Sequence, residues 1–214
     1  MVARVKICGL TRAEDVIASA EAGASYLGVV FAAGPRTVTP TQAHELVQAA
    51  AGLPVFGVFA EQSLGDILQI CRQVGLSGAQ LHGPYSCSDA RQLRAEGLEV
   101  WRVVRIAAPA DLDLLVPAMS DSDAVLVEPR VKGALGGSGV ALDRAVAREA
   151  RSRLAGHPMV LAGGLTPDTV TEALDLVHPD IVDVSSGIER HPGVKDRDKI
   201  LNFVEAVVAH SPIT

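Results

Sequence analysis

Val5-Lys6-Ile7-Cys8-Gly9-Leu10-Thr11 is the most informative stretch of this chain, because it holds the end of a strand and the turn that leads into a helix. The apolar run over residues 4–8 predicts a β-strand, and apolar residues at three- and four-residue spacing over 13–21 predict a helix. Cys8 therefore stands at the rim of the fold, where α/β proteins place their chemistry, and is a candidate catalytic thiol. The alternative is a packing residue, since free cysteine is among the most buried residue types.

The same unit of strand and helix recurs along the whole chain. Eight strands are predicted, at residues 4–8, 26–31, 55–59, 78–82, 99–106, 124–128, 159–162 and 181–184. Helices are predicted at 13–21, 41–51, 64–74, 89–95, 143–154, 167–177 and 199–210, with a shorter one after Pro109. Strands that alternate with helices form a parallel sheet, and eight such units close into a barrel. We therefore predict an α/β fold, a single-domain (β/α)8 TIM barrel over residues 1–214.

An open doubly wound sheet is the alternative architecture. It normally has fewer strands and a GxGxxG first turn, which Gly9-Leu10-Thr11-Arg12 does not match. No linker or shift in composition divides the chain. The barrel is the better prediction.

Composition and charge limit the classes of function. The 214 residues are 48% hydrophobic and carry a net charge of −6 with scattered basic residues, which favours a globular protein and argues against nucleic-acid binding. The three cysteines, Cys8, Cys71 and Cys87, have neither paired nor metal-ligand spacing, and the sequence shows no leader or long apolar segment. We expect a cytoplasmic protein that uses no metal and binds neither membrane nor nucleic acid.

In such a barrel the active site lies at the C-terminal ends of the strands. Alternation along the first strand turns Lys6 and Cys8 into the barrel, where Lys6 needs a partner that Asp183 of the eighth strand can supply. The residues at the predicted strand ends are Cys8, Phe31, Phe59, His82, Ile106, Glu128, Gly163-Gly164 and Ser185-Ser186.

Two glycine-bearing turns follow the last two strands, Gly163-Gly164 and Ser185-Ser186-Gly187. Glycines let the backbone approach an anion and direct several amides toward it, and these two loops are the usual phosphate site of such barrels. The alternative is that the glycines only make tight turns. We predict a phosphate site here.

Three further side chains are candidates for chemistry or binding. Glu128 closes the sixth strand and can form an acid/base pair with Cys8, unless it is a solvent-exposed rim residue. Arg36 can hold a carboxylate or be a solvated loop charge, and His82 can donate to a substrate or be structural. The glycine-rich stretch 133–139 can close over a ligand.

The order of several short motifs is far more specific than any one of them. They are Lys6-Ile7-Cys8-Gly9-Leu10-Thr11, Gly28-Val29-Val30-Phe31, Pro35-Arg36, Gly57-Val58-Phe59, Gln80-Leu81-His82-Gly83, Gly136-Gly137-Ser138-Gly139, Leu161-Ala162-Gly163-Gly164-Leu165, and Asp183-Val184-Ser185-Ser186-Gly187-Ile188-Glu189 with Pro192-Gly193-Val194-Lys195-Asp196. With these motifs the chain resembles the phosphoribosylanthranilate isomerase family over nearly its whole length. The resemblance implies cofactor-independent Amadori isomerisation of N-(5′-phosphoribosyl)anthranilate to 1-(2-carboxyphenylamino)-1-deoxyribulose 5-phosphate, in tryptophan biosynthesis.

The resemblance also implies roles for individual residues. Cys8 matches the family's general base, and Glu128 stands where the family has an aspartate as general acid. Arg36 matches the residue that holds the anthranilate carboxylate. From their positions alone, His82 and Asp183 are further expected to bind the substrate. The phosphate-binding residues are Gly163, Gly164, Ser185, Ser186 and Gly187. The extra methylene of Glu128 moves the acid by on the order of 1 Å, and a misplacement of that size can cost about 10²-fold in rate.

The sequence is also compatible with two other functions. One is a related phosphosugar isomerase or epimerase barrel, which would not need Arg36 if its substrate lacked an aryl carboxylate. The other is a phosphate-binding barrel whose turnover is impaired because of Glu128. In each case the expected partner is a small phosphorylated molecule, and the expected quaternary state is a monomer or a homodimer.

Overall fold

Eight parallel strands form a closed barrel in chain order, which confirms the predicted (β/α)8 architecture. The computed structural model describes residues 2–131 and 139–210. The barrel closes where β1 pairs with β8, a register that places Lys6 opposite Asp183. The strands are β1 (Arg4–Ile7), β2 (Tyr26–Val30), β3 (Val55–Phe59), β4 (Gly78–Leu81), β5 (Glu99–Ile106), β6 (Ala124–Pro129), β7 (Met159–Ala162) and β8 (Ile181–Val184).

Helices follow the strands and cover the outside of the barrel. Within residues 2–131 and 139–210, no helix combines the length and apolar character needed to cross a membrane. The helices are α1 (Ala13–Glu21), α2 (Pro40–Ala49), α3 (Leu64–Val74), α4 (Cys87–Ala95), α5 (Leu115–Met119), α6 (Arg144–Arg153), α7 (Val170–Val177) and α8 (Arg197–Ala209). A 3-10 helix, Pro109–Leu114, precedes α5, and the two lie where a short helix was predicted after Pro109.

Capping residues decide where several helices begin. Thr39, Ser63 and Ser86 each accept a hydrogen bond from the backbone three residues later, in a capping box that starts α2, α3 and α4. For this reason α2 and α4 begin before the predicted positions. By contrast, α7 begins three residues later than predicted, because residues 167–169 form a turn in which Thr169 accepts from the Thr166 amide at 3.0 Å.

Aromatic rings fill the barrel interior toward the N-terminal ends of the strands. Tyr26, Phe56 and Trp101 pack against one another, with ring centroids 4.4–5.7 Å apart. Lys6 lies above this layer, with its Nζ 5.6 Å from the centroid of the Trp101 ring. The part of the barrel near the N-terminal ends of the strands is therefore a packed core, and the polar groups of the site lie toward the C-terminal ends.

The strand-end residues fall into two groups, because neighbouring positions of a strand face opposite sides. Phe31, Phe59 and Ile106 belong to the apolar layer between strands and helices, where the rings of Phe31 and Phe59 stack at 5.1 Å. They do not line the mouth of the barrel, and so they drop out of the candidate site. Cys8, His82 and Glu128 have the opposite parity and face inward.

A short hairpin after β8 was absent from the sequence prediction. Its strands, β9 (Glu189–His191) and β10 (Val194–Lys195), pair antiparallel. The hairpin packs against the β1–α1 turn, where Asp15 accepts from the backbone amide of Lys195 at 3.1 Å and Thr11 donates to the carbonyl of Gly193. It thereby covers one side of the barrel mouth.

Candidate active site

A cavity of about 450 Å³ opens at the C-terminal ends of the strands. This volume is ordinary for a site that takes a small molecule. The structure brings the whole predicted set to its walls: Cys8, Arg36, His82, Glu128, Gly163, Gly164, Asp183, Ser185, Ser186 and Gly187.

Cys8 follows β1 and is buried at the base of the cavity. Gly28 of β2 makes room for it, since a Cβ at that position would lie 2.8 Å from the Cys8 sulfur and 3.2 Å from Lys6 Nζ. Burial raises the pKa of the Cys8 thiol, and the nearby positive charges of Lys6 and Lys195 offset this only in part. The resting side chain at neutral pH is therefore the thiol, next to an ammonium that favours the thiolate.

Lys6 carries a charge inside the barrel and has the partners it needs. It is completely buried, and its Nζ donates to Asp183 Oδ1 at 3.0 Å and to Gln80 Oε1 at 2.9 Å. Burial alone would lower the pKa of Lys6, but Asp183 and Cys8 more than compensate and raise it above the ordinary value. The predicted ion pair between Lys6 and Asp183 is confirmed.

Glu128 lies at the end of β6 with its carboxyl inside the cavity wall. It is only 5% exposed, so the alternative of a solvent-exposed rim glutamate is wrong. Its Oε1 lies 2.9 Å from Nε2 of His82 and 3.2 Å from Nε of Arg105. His82 is thus both a wall of the cavity and a close neighbour of the Glu128 carboxyl, a contact that could not be predicted from the sequence.

Arg36 is engaged by a carboxylate of the protein itself. Its Nε and Nη2 donate to the two oxygens of Glu189 at 2.8 and 2.7 Å, in a bidentate pair. This pair uses one edge of the guanidinium and leaves Nη1 outside it. Arg36 is therefore a positioned side chain on the cavity wall, and the alternative of a solvated loop charge is wrong.

Lys195 is a second charged residue to which sequence reasoning gave no role. Its buried Nζ donates to the carbonyl of Cys8 at 2.6 Å, to the carbonyl of Ser185 at 3.1 Å and to Glu189 Oε1 at 2.9 Å. Burial lowers the pKa of Lys195, and Glu189 opposes the shift only in part. For Glu189, burial acts to raise the pKa, but Arg36 and Lys195 outweigh it and hold the pKa below the ordinary value. The signal in the sequence was the pair of charged residues in the motifs after the eighth strand.

The two late turns need their glycines and also line the cavity. Gly163 and Gly164 have φ angles of +94° and +64°, a region that disfavours other residues. A Cβ on Gly164 would lie 2.5 Å from the backbone nitrogen of Ala141, and one on Gly187 would collide with the carbonyl oxygen of Leu165. The glycines are therefore needed for the tight turns, as the alternative interpretation held. The same close packing brings the two turns together at one end of the cavity. Most of the glycine-rich stretch 133–139 lies outside the described residues, so the closing loop predicted there stays a prediction.

Comparison with known proteins identifies the family of this chain. A family model described as N-(5′-phosphoribosyl)anthranilate (PRA) isomerase matches residues 5–206. The chain belongs to this family. The N-(5′-phosphoribosyl)anthranilate isomerase of Symbiobacterium thermophilum is 40% identical, over 94% of this chain and 96% of that protein. The resemblance inferred from the motifs is confirmed.

Solved structures of the N-(5′-phosphoribosyl)anthranilate isomerase family have the same fold. A structure of monomers of the dimeric enzyme from Thermotoga maritima has a TM-score of 0.84 and 33% identity, covering 97% of this chain and 100% of that one. A family structure in complex with reduced 1-(o-carboxyphenylamino)-1-deoxyribulose 5-phosphate has a TM-score of 0.85 and 31% identity, with the same coverage. The fold of this chain is thus that of the family.

Proposed function

We propose that the chain isomerises N-(5′-phosphoribosyl)anthranilate to 1-(2-carboxyphenylamino)-1-deoxyribulose 5-phosphate, as a cofactor-independent enzyme of tryptophan biosynthesis. The observation that carries the proposal is one cavity shared by a buried thiol, a buried carboxyl, a positioned arginine and two glycine turns. These are the groups that an aldose–ketose rearrangement of a phosphorylated aryl amine requires: an acid, a base and two anion sites.

Glu128 is the proposed general acid. It gives its proton to the ring oxygen of the ribose as the C1–O bond breaks, while the electron pair of the aryl nitrogen forms the C1=N bond of an iminium. His82 and Arg105 contact the carboxyl where it lies in the cavity wall. The longer side chain of glutamate is thus fixed by its surroundings, which supports activity in a chain that lacks the family's aspartate.

Cys8 is the proposed general base. Its thiolate removes the proton from C2, and the electron pair of that C–H bond forms the C1=C2 bond of an enolamine as the iminium nitrogen becomes neutral. Tautomerisation, with loss of the enol proton and protonation at C1, then gives the ketone. The Lys6 ammonium beside the sulfur stabilises the thiolate, and a cationic iminium in the cavity adds to this effect.

Binding groups surround the two catalytic residues. Arg36 receives the anthranilate carboxylate on the edge that Glu189 does not use. The proposed phosphate site is formed by Gly163, Gly164 and Ser185-Ser186-Gly187. Asp183 can accept a hydrogen bond from a ribose hydroxyl. These binding residues line the same cavity as Cys8 and Glu128.

The direct test is a fluorescence assay of the purified chain with N-(5′-phosphoribosyl)anthranilate. We expect loss of the anthranilate-type signal, and a rate lowered by about 10²- to 10⁴-fold in Cys8→Ser. Cys71→Ser is the matched control, because Cys71 is a buried free thiol that packs in the apolar core and does not line the cavity. Tight binding of the reduced product analogue without turnover would instead favour a binding barrel whose turnover is impaired.

The proposal also covers the quaternary state of the protein and its location in the cell. The Thermotoga maritima relative is described as dimeric, and a monomer or a homodimer remains our proposal for this chain. The cysteines Cys8, Cys71 and Cys87 are free, which agrees with a reducing compartment, and we propose the cytoplasm.

A further inference from the structure

We propose that Lys195 is a positioning residue that sets the affinity of the cavity for the substrate's aryl carboxylate, without touching the substrate. The inference rests on the proposed function and adds to it a residue that no prediction had given a role. It follows from three buried or half-buried charged side chains that contact one another: Arg36, Glu189 and Lys195.

The charge of this cluster depends on Lys195. Arg36 and Glu189 alone form a neutral pair, because the bidentate contact matches one positive charge with one negative charge. A neutral pair attracts a carboxylate only through its dipoles. Lys195 contacts Glu189 Oε1 at 2.9 Å and restores a net charge of plus one beside the cavity, so that Arg36 can serve Glu189 and a substrate carboxylate at once.

The location of Lys195 makes this charge effective. The side chain is almost completely buried, so water screens it little. The hairpin that carries it is fixed to the β1–α1 turn, where Asp15 accepts from the Lys195 amide at 3.1 Å. The hairpin and the contact with Glu189 thus keep the ammonium next to the Arg36–Glu189 pair.

Lys195 also connects the carboxylate site to the rest of the cavity. Its Nζ holds the carbonyl oxygens of Cys8 and Ser185 at 2.6 and 3.1 Å. Gly9 allows the close packing above it, since a Cβ there would lie 2.5 Å from Arg36 Cδ and 2.8 Å from Ser185 Oγ. One ammonium thus fixes the backbone of the thiol and of a phosphate turn relative to the arginine.

The test compares two ligands that differ only in the carboxylate. One is reduced 1-(o-carboxyphenylamino)-1-deoxyribulose 5-phosphate, and the other is its phenylamino counterpart. We expect Lys195→Gln to weaken binding of the first on the order of tenfold or more and to leave binding of the second nearly unchanged. The glutamine amide has no charge but retains a donor for the carbonyl oxygens, so the variant removes the charge selectively. Lys195→Arg should retain most of the affinity.

Lys199→Gln is the matched control. The Nζ of Lys199 donates to the backbone carbonyl of Glu189 at 3.1 Å from an exposed residue, so this variant removes a charge near the same glutamate without changing the cluster. We expect no change in the affinity ratio of the two ligands in this variant.

Several outcomes would overturn the proposal. Equal losses for both ligands in Lys195→Gln would show a general structural role, and no loss would show that the charge is irrelevant. If neither Lys195→Gln nor Lys195→Met folds, the residue belongs to the stability of the hairpin and the proposal is wrong. These results are distinct from a failure of the proposed function, which is the absence of turnover in the unmodified chain.

Discussion

Nε2 of His82, after β4, lies 2.9 Å from Oε1 of Glu128 at the end of β6. The contact spans the end of β5, which separates the two strands in the sheet. It gives the carboxyl a fixed location inside a cavity wall. The position of the acid is therefore set by its neighbours as well as by its own backbone.

This contact predicts how Glu128 responds to substitution. Glu128→Gln should lower kcat by about 10²- to 10⁴-fold with little change in KM, because the amide fills the same space but cannot give up a proton. Glu128→Asp should retain the chemistry but withdraw the carboxyl from His82 and Arg105, and should lose about tenfold in kcat. Steady-state kinetics measure both. A Glu128→Asp variant faster than the unmodified chain would show that the glutamate is misplaced.

The pH dependence follows from the buried thiol. Since burial raises the pKa of Cys8, the thiolate is a minor form at neutral pH and its fraction grows as the pH rises toward that pKa. The thiolate fraction therefore increases by up to about tenfold per pH unit from about pH 7 to about pH 9, and kcat/KM follows it to the extent that the general acid keeps its proton over the same range. Residual activity of Cys8→Ser should lack this increase. Cys71→Ser should retain it, because Cys71, whose pKa burial raises to about 12, does not line the cavity. An equal increase in Cys8→Ser would exclude Cys8 as the base.

Arg36→Ala distinguishes the proposed substrate from a phosphosugar without an aryl carboxylate. Loss of the guanidinium should raise KM for N-(5′-phosphoribosyl)anthranilate by about 10- to 100-fold and lower kcat less, since the carboxylate is held in both ground and transition states. Arg72→Ala is the control, because Arg72 forms an exposed ion pair with Glu96 away from the cavity. An unchanged KM in Arg36→Ala would favour the related isomerase or epimerase.

Gly28 offers a test of the contact between the thiol and the ammonium. Gly28→Ala would place a methyl group 2.8 Å from the Cys8 sulfur and 3.2 Å from Lys6 Nζ, so one of them must move. We expect a drop in kcat/KM on the order of 10- to 100-fold in a folded protein. Gly65→Ala in α3 is the control, because its Cβ would meet nothing closer than 3.8 Å. Equal activity of the two variants would show that this spacing is not important.

Much of the fold was predictable from the chain alone, for a physical reason. Alternation of short apolar strands with amphipathic helices is a local signal, and parallel strands with crossovers leave few topologies. The barrel then specified which residues share one end, so Cys8, Glu128 and the late glycine turns could be placed together without coordinates. Phe31, Phe59 and Ile106 were the exceptions, because a shift of one residue along a strand turns a side chain to the other face.

The interactions between site residues were not predictable. The hairpin that carries Glu189 and Lys195 has strands of three and two residues, too short for any periodic pattern. Its pairing with Arg36 joins residues 153 positions apart in the sequence. The contact of His82 with Glu128 depends in the same way on the pairing of both β4 and β6 with β5. Such contacts are set by the tertiary fold and leave no local trace.

Substrate deuterated at C2 tests whether Cys8 is the base and Glu128 the acid. Cys8 breaks the C2–H bond and Glu128 opens the ring, so each variant should slow a different step. We predict a full primary isotope effect on kcat in Cys8→Ser and none in Glu128→Gln, where ring opening becomes rate-limiting. The reverse pattern, or a full isotope effect in both variants, would contradict the assignment of base and acid.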